Sequence, residues 1–123
     1  MKILVVDDDE LSSLACSRAL EAKGHRIVRV SSSAAALEAL ESSQFDLLIT
    51  DIKMPVRDGL HLIEAARGRF RALPVLATSG YPTEETASNS YARGADGFIP
   101  KPFTPAELLQ AVEAAHAARA AAG

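Results

Sequence analysis

Carboxylates, a hydroxyl and an amine stand at separated points of this chain: Asp7, Asp8 and Asp9 in one run, then Asp51, Ser79 and Lys101. If folding gathered them, the carboxylates would repel one another, and strongly so away from bulk water. A site that keeps such a group ionised needs a cation. All-oxygen ligands with room for water favour Mg²⁺ over zinc or copper. A carboxylate is also a competent nucleophile toward phosphorus, giving an acyl phosphate. Phosphoryl transfer mostly demands positioning and neutralisation of charge. For that chemistry Asp8 and Asp51 suit the metal, Lys101 suits one phosphoryl oxygen and Ser79 can donate to another.

Taken singly, each group has a plainer reading. The acidic run could be a solvated turn placing negative charge on the first turn of a helix. Asp51 could cap a helix or a turn before Met54-Pro55. Ser79 beside Gly80 and Lys101 beside Pro102 could be ordinary loop residues. What separates the readings is where the elements put these residues.

Short apolar runs at 3–6, 27–30, 47–50, 74–78 and 98–100 read as strands buried on both faces of a parallel sheet. Between them lie helical segments. The first carries Leu11, Ala15, Cys16, Ala19 and Leu20 on one face and ends at Lys23-Gly24, with the glycine suited to a left-handed cap. Others run over 33–43, 59–67 and 83–93, the last stopped by Gly94. The final helix opens on Thr104-Pro105-Ala106-Glu107, a capping box with proline at the first helical position. Alternation of this kind predicts an α/β domain with helices on both faces of the sheet. Ligands in such sheets bind at the carboxyl ends of the strands. Asp7-Asp8, Asp51, Thr78-Ser79 and the neighbourhood of Lys101 all fall at strand ends; only the end near Ser31 carries no comparable group. Pro100 lacks an amide hydrogen, so strand five should behave as an edge.

Bulk properties agree with one compact domain over residues 1–123. The chain is 48% hydrophobic and 24% charged, which supports a core. A net charge of -3 argues against direct nucleic-acid binding through phosphate contacts. One cysteine, Cys16, excludes an internal disulfide and reads as a core residue. The four apolar residues before the acidic run are too few for a signal-peptide core, and no apolar run is long enough to span a bilayer. These features lead us to expect a cytoplasmic protein with no membrane partner. His25, His61 and His116 sit at no strand end and read as surface residues. No P-loop glycine pattern is present.

The segments ILVVDDDE at 3–10, LLITDIKMPVRDG at 47–59, PVLATSG at 74–80 and ADGFIPKPF at 95–103 together resemble the response-regulator receiver family across the whole chain. The resemblance implies a doubly wound, flavodoxin-like sheet of five parallel strands in order 2-1-3-4-5. It implies that Asp51 accepts a phosphoryl group from a phosphohistidine on a sensor kinase or phosphotransfer protein. Asp7, Asp8, Asp51 and the Lys53 backbone carbonyl would hold Mg²⁺, Asp7 often through water. Ser79 would be the switch hydroxyl, Phe98 the switch aromatic and Lys101 the site lysine, followed by a cis Lys101-Pro102 peptide. Lys53 and Tyr81 would occupy the positions that tune phosphoryl lifetime, and their bulk suggests a long one. Phosphorylation would remodel the face of the fourth helix, fifth strand and last helix. That face would control a partner or an output domain and could serve a homodimer. The family catalyses only its own phosphorylation and dephosphorylation.

Some readings stay open at this level. Leu14, on the polar side of the first helix, is either a lone exposed leucine or a donor contact. A haloacid-dehalogenase-like phosphatase would use Asp7 and Asp9, but Leu11 replaces the expected Thr or Val and there is no room for a cap. A pseudo-receiver that only docks partners would not need the intact set. The chain could be a stand-alone receiver or part of a longer regulator.

Overall fold

The computed structural model describes residues 1–53, 59–80 and 83–122. Strands β1 (Lys2–Val6), β2 (Arg26–Val30), β3 (Leu47–Asp51), β4 (Val75–Ser79) and β5 (Gly97–Pro100) alternate with helices α1 (Glu10–Glu21), α2 (Ser33–Ser42), α3 (Gly59–Arg69), α4 (Glu84–Arg93) and α5 (Pro105–Ala122). All strand pairings are parallel, and the order is β2-β1-β3-β4-β5. The fold anticipated from the alternation is therefore the observed one.

Burial follows position in the sheet. Every residue of β3 and β4 is buried, and β1 is buried beyond Lys2. β2 and β5, at the edges, are mostly exposed or half-buried. Because side chains alternate along a strand, one sheet feeds two cores. Leu4, Val6, Leu48, Ile52, Val75 and Ala77 meet α2 and α3 through Ala36, Leu40, Leu62, Ile63 and Ala66. Ile3, Val5, Leu47, Ile49, Leu76 and Ile99 meet α1 and α5 through Cys16, Leu20, Leu108, Val112 and Ala115. Burying a large aliphatic side chain contributes roughly 2 kcal/mol, so these two layers supply most of the force holding the sheet flat against its helices.

The helix ends carry the expected chemistry. Asp9 caps α1, its Oδ1 accepting from the Leu11 and Ser12 amides at 3.1 and 3.4 Å. Ser32 caps α2 and Thr83 caps α4, with Thr86 completing the box. For α5, the Thr104 amide donates to Glu107 Oε1 at 2.8 Å and the Glu107 amide donates to Thr104 Oγ1 at 3.1 Å. Gly24 and Gly94 sit at φ 88° and 119°, where a glycine is required.

One expectation fails on α1. Leu11 is 78% exposed, and Ala15 is exposed as well. The buried line is Ser13, Cys16, Ser17 and Leu20. With serines on the inward face, the apolar pattern points the wheel a fraction of a turn away from the true core direction. Leu14 is half-buried. α4 is also unusual: Ser90 is its one buried residue, so it lies on the sheet with almost no apolar anchor.

The end of the molecule opposite the acidic run is held by charge. Asp96 is 4% exposed at its side chain and takes both Arg67 Nη2 at 2.8 Å and Arg119 Nη2 at 2.9 Å. The Val75 amide also donates to its Oδ2 at 2.9 Å. Arg67 Nε and Nη2 donate to the Gly94 carbonyl at 3.1 and 2.9 Å. One carboxylate thus ties α3, α5, β4 and the end of α4 together. Removing one partner from a buried ion-pair network leaves uncompensated charge and costs about 3 kcal/mol or more. Asp96→Ala should lower Tm by about 10 °C with an unchanged denaturant slope. A loss under about 1 kcal/mol, the range of exposed ion pairs, would show that the network is solvent-screened.

Candidate functional site

The acidic run at the end of β1 divides its work. Asp9 caps α1, Asp8 is exposed, and Asp7 is buried. Asp7 Oδ1 accepts from the Asp9 amide at 2.9 Å, which folds the turn and fixes the carboxylate. Its Oδ2 accepts from Lys101 Nζ at 2.7 Å. Lys101 Nζ also lies 3.7 Å from Asp51 Oδ2. One carboxylate oxygen from each of Asp7, Asp8 and Asp51 falls within 4.8 Å of the others.

Each group reaches this point through the sheet. β1 and β3 are adjacent and in register, Val6 opposite Thr50, so Asp7 and Asp51 emerge side by side. β3 and β4 pair Asp51 with Thr78, which sets the buried Ser79 one residue further along the next strand. β4 and β5 pair Ser79 with Pro100, and the Lys101 amide donates to the Ser79 carbonyl at 2.8 Å. Pro100 is exposed on an edge strand, as its missing amide hydrogen led us to expect. The Lys101-Pro102 peptide is cis. Phe98 is half-buried and packs on the α2–α3 side of the sheet. Lys53 is exposed, and its amide donates to Asp51 Oδ1 at 3.3 Å. Tyr81 lies outside the described residues, as does the segment 54–58.

Among the described residues, the electrostatics are those of an under-neutralised acidic pocket. Burial pushes the Asp51 carboxyl above its ordinary range; Lys101 and the Lys53 amide oppose that shift, and Asp7 and Asp8 reinforce it. For Lys101, burial alone would drive the ammonium down, but the hydrogen bond to Asp7 and the charges of Asp51, Asp7 and Asp9 reverse this and hold it above the usual lysine range. Cys16, buried beneath the site, is pushed up to about 12 by burial and then by Asp7, with Lys101 opposing. At neutral pH it is an inert thiol, as a core residue should be.

The donor set is all oxygen, anionic and compact, and this fits a hard divalent cation such as Mg²⁺. A cleft of about 750 Å³ lies elsewhere, between the ends of α2 and α5 and the approach to β4, and none of the site residues lines it. At the acidic site Asp7 and Asp51 are buried, and Asp8 is exposed to solvent.

Sequence reasoning missed Gly59. A Cβ at this position would lie 2.1 Å from the Asp51 carbonyl oxygen and 2.7 Å from Ile52 Cα. The Gly59 amide donates to the Ile52 carbonyl at 3.1 Å. α3 therefore starts directly against the backbone that carries Asp51. A glycine opening a helix was the only local signal, and it does not reveal what the missing side chain makes room for.

The model of the response regulator receiver domain matches residues 3–113. The chain belongs to the response regulator receiver family. It is a module of two-component signal transduction. Among curated relatives of this receiver, the response regulator protein FleR of Pseudomonas aeruginosa is 39% identical over 111 residues, covering 90% of this chain and 24% of that protein. The DNA-binding transcriptional regulator NtrC of Escherichia coli is 36% identical over 113 residues, covering 92% of this chain and 24% of that one. The receiver thus spans about a quarter of the length of these relatives. The chemotaxis response regulator CheY4 of Vibrio cholerae superposes with a TM-score of 0.86 at 28% identity, covering 93% of this chain and 97% of that one. A CheY-like receiver protein from Methanospirillum hungatei gives 0.90 at 29% identity, over 99% and 98% of the two chains. Among the described residues, no helix is long and apolar enough to cross a membrane.

A carboxyl held above its ordinary value binds its proton more tightly folded than unfolded. It therefore costs stability once the pH rises through the ordinary Asp range and beyond. Without divalent cation, Asp51→Asn should melt higher than the parent receiver at neutral pH. The gap should close as the pH falls below the ordinary carboxylate range. A variant that melts lower at neutral pH would mean that the Lys101 contact outweighs burial.

Proposed function

We propose that residues 1–123 act as one phosphoacceptor receiver in which Asp51 takes a phosphoryl group from a phosphohistidine donor. The observation that carries this reading is the convergence of Asp7, Asp8 and Asp51 within 4.8 Å, with Lys101 at 2.7 Å from Asp7 and 3.7 Å from Asp51. An Asp51 carboxylate oxygen attacks phosphorus, the bond from phosphorus to the donor imidazole breaks, and the nitrogen keeps the electron pair. The product is an aspartyl phosphate.

Asp7, Asp8, Asp51 and the Lys53 carbonyl would hold Mg²⁺, which when bound neutralises charge on the phosphoryl oxygens. Lys101 supplies a second cation from a fixed position, restrained by Asp7. Its amide ties it to Ser79, whose hydroxyl turns toward the phosphoryl group. Phe98 follows into the space this opens. Receivers are signalling modules, and the reactions proposed for this one are its own phosphorylation and its dephosphorylation, in which water attacks phosphorus and the carboxylate leaves with inorganic phosphate as the other product. Lys53 and Tyr81 are assigned to tuning the lifetime of the adduct.

The donor, a sensor histidine kinase or histidine phosphotransfer protein, approaches the open mouth. Leu11 stands exposed there, two residues after the Asp9 cap, and suits an apolar contact better than the half-buried Leu14. The output partner reads the face of α4, β5 and α5, where α4 is weakly anchored and Tyr91 is 51% exposed. A second copy could use the same face. The assigned setting is the cytoplasm, with output through a protein partner or a further domain rather than through direct contact with nucleic acid or membrane.

Intact-mass measurement after incubation with Mg²⁺ and acetyl phosphate tests the reading. The parent should gain one phosphoryl group, and the gain should vanish in Asp51→Asn and without Mg²⁺. No gain by a folded parent would point to a docking-only domain. A gain that survives Asp51→Asn and is lost in Asp7→Asn would move the nucleophile to Asp7.

A further inference from the structure

We infer that the Thr50 hydroxyl is a positioning group for the Asp51 carboxylate, acting through the Asp51 backbone carbonyl. The inference rests on the reading of Asp51 as acceptor.

β3 reads Leu-Leu-Ile-Thr-Asp, and every residue in it is buried. Thr50 is 0% exposed, on the side of the sheet where Leu48 and Ile52 pack. A hydroxyl in such a strand is costly to bury unless it is hydrogen-bonded. Here Thr50 Oγ1 donates to the Asp51 carbonyl at 3.0 Å. The β1–β3 register closes at the Val6–Thr50 pair. Beyond it β1 gives way to the acidic turn of residues 7–9, so Asp51 reaches past its last paired neighbour on that side. On the other side the ladder continues, with the Ile52 amide donating to the Thr78 carbonyl at 3.0 Å.

The same carbonyl oxygen is the atom that a Cβ on Gly59 would meet at 2.1 Å. It is therefore closed in by the backbone of α3 as well as held by Thr50. These two constraints fix the peptide plane that follows Asp51. The carboxylate hangs from the same Cα, and its Oδ1 is tethered in turn to the Lys53 amide. Without the hydroxyl, the buried carbonyl loses this hydrogen bond, and the peptide turns to recover one. The carboxylate turns with it. Group transfer is steep in such displacements, and a shift approaching 1 Å costs up to about 100-fold.

A purely local role is the competing reading, since threonine hydroxyls often bond nearby carbonyls with no further consequence. Thr50→Val keeps the shape and removes the hydroxyl; Thr50→Ser keeps the hydroxyl. Rates of phosphorylation by acetyl phosphate, at Mg²⁺ concentrations saturating for each variant, separate the two. Positioning predicts that Thr50→Val falls about tenfold while Thr50→Ser stays within about twofold of the parent, with thermal melts that do not rank in the same order as the rates. Should Thr50→Val fail to fold, Thr50→Ala takes its place and should be about tenfold slower than Thr50→Ser. A hydroxyl-free variant within about twofold of the parent, or a serine variant as slow as it, overturns the inference. A parent that takes up no phosphoryl group overturns the acceptor reading and this inference with it.

Discussion

Among the described residues, three carboxylates share one small mouth with one lysine ammonium between two of them, and much of the fold is arranged around that imbalance. Lys101 contacts Asp7 closely and Asp51 more distantly, while Asp8 faces solvent. Were all three acids paired, the site would be a closed ionic network with no further need of charge. As built, Asp7 and Asp8 keep negative charge close to Asp51, which adds to the burial that chiefly raises its carboxyl. On the proposed reading, an entering cation would relieve that repulsion, and an entering phosphoryl group would find a lysine already held in place. The same feature that costs stability in the resting protein makes the site receptive.

Holding like charges together requires a rigid frame, and the frame is the sheet. The central strands β1, β3 and β4 are buried on both faces by two separate core layers, so their carboxyl ends cannot splay. Fixing comes from smaller devices at the rim: the Asp9 amide on Asp7, the Lys53 amide on Asp51, the Lys101 amide on Ser79, and Gly59 lying against the backbone of Asp51. At the opposite end the Asp96 network clamps α3, α5 and the end of α4. Between these two fixed ends α4 carries one buried residue, Ser90. It is the helix with the fewest buried residues, which fits the switching role proposed for its face.

Much of this was legible in the residues. Alternating apolar runs and capping signals located all ten elements, because buried parallel strands and amphipathic helices differ in period. The strand ends then placed Asp7, Asp8, Asp51, Ser79 and Lys101 in one neighbourhood. What escaped were features that depend on three-dimensional approach. Leu11 looked like a core residue and Ser13 did not, since hydrophobicity alone assumes that apolar residues face inward. Asp96 resembled any loop acid until Arg67 and Arg119, far away in sequence, were seen to meet it. Gly59 and Thr50 are ordinary letters in a sequence; their meaning lies in which carbonyl oxygen they touch.

The most direct test of the under-neutralised site is a thermal melt of the parent protein across a Mg²⁺ titration, against monovalent salt at matched ionic strength. Selective binding to the native acidic mouth predicts stabilisation of about 1.4 kcal/mol at ten times Kd, or about 5 °C, with most of it lost in Asp8→Asn. Melts that respond equally to Mg²⁺ and to monovalent salt would contradict the account, because the three carboxylates would then be no more than a solvated acidic surface.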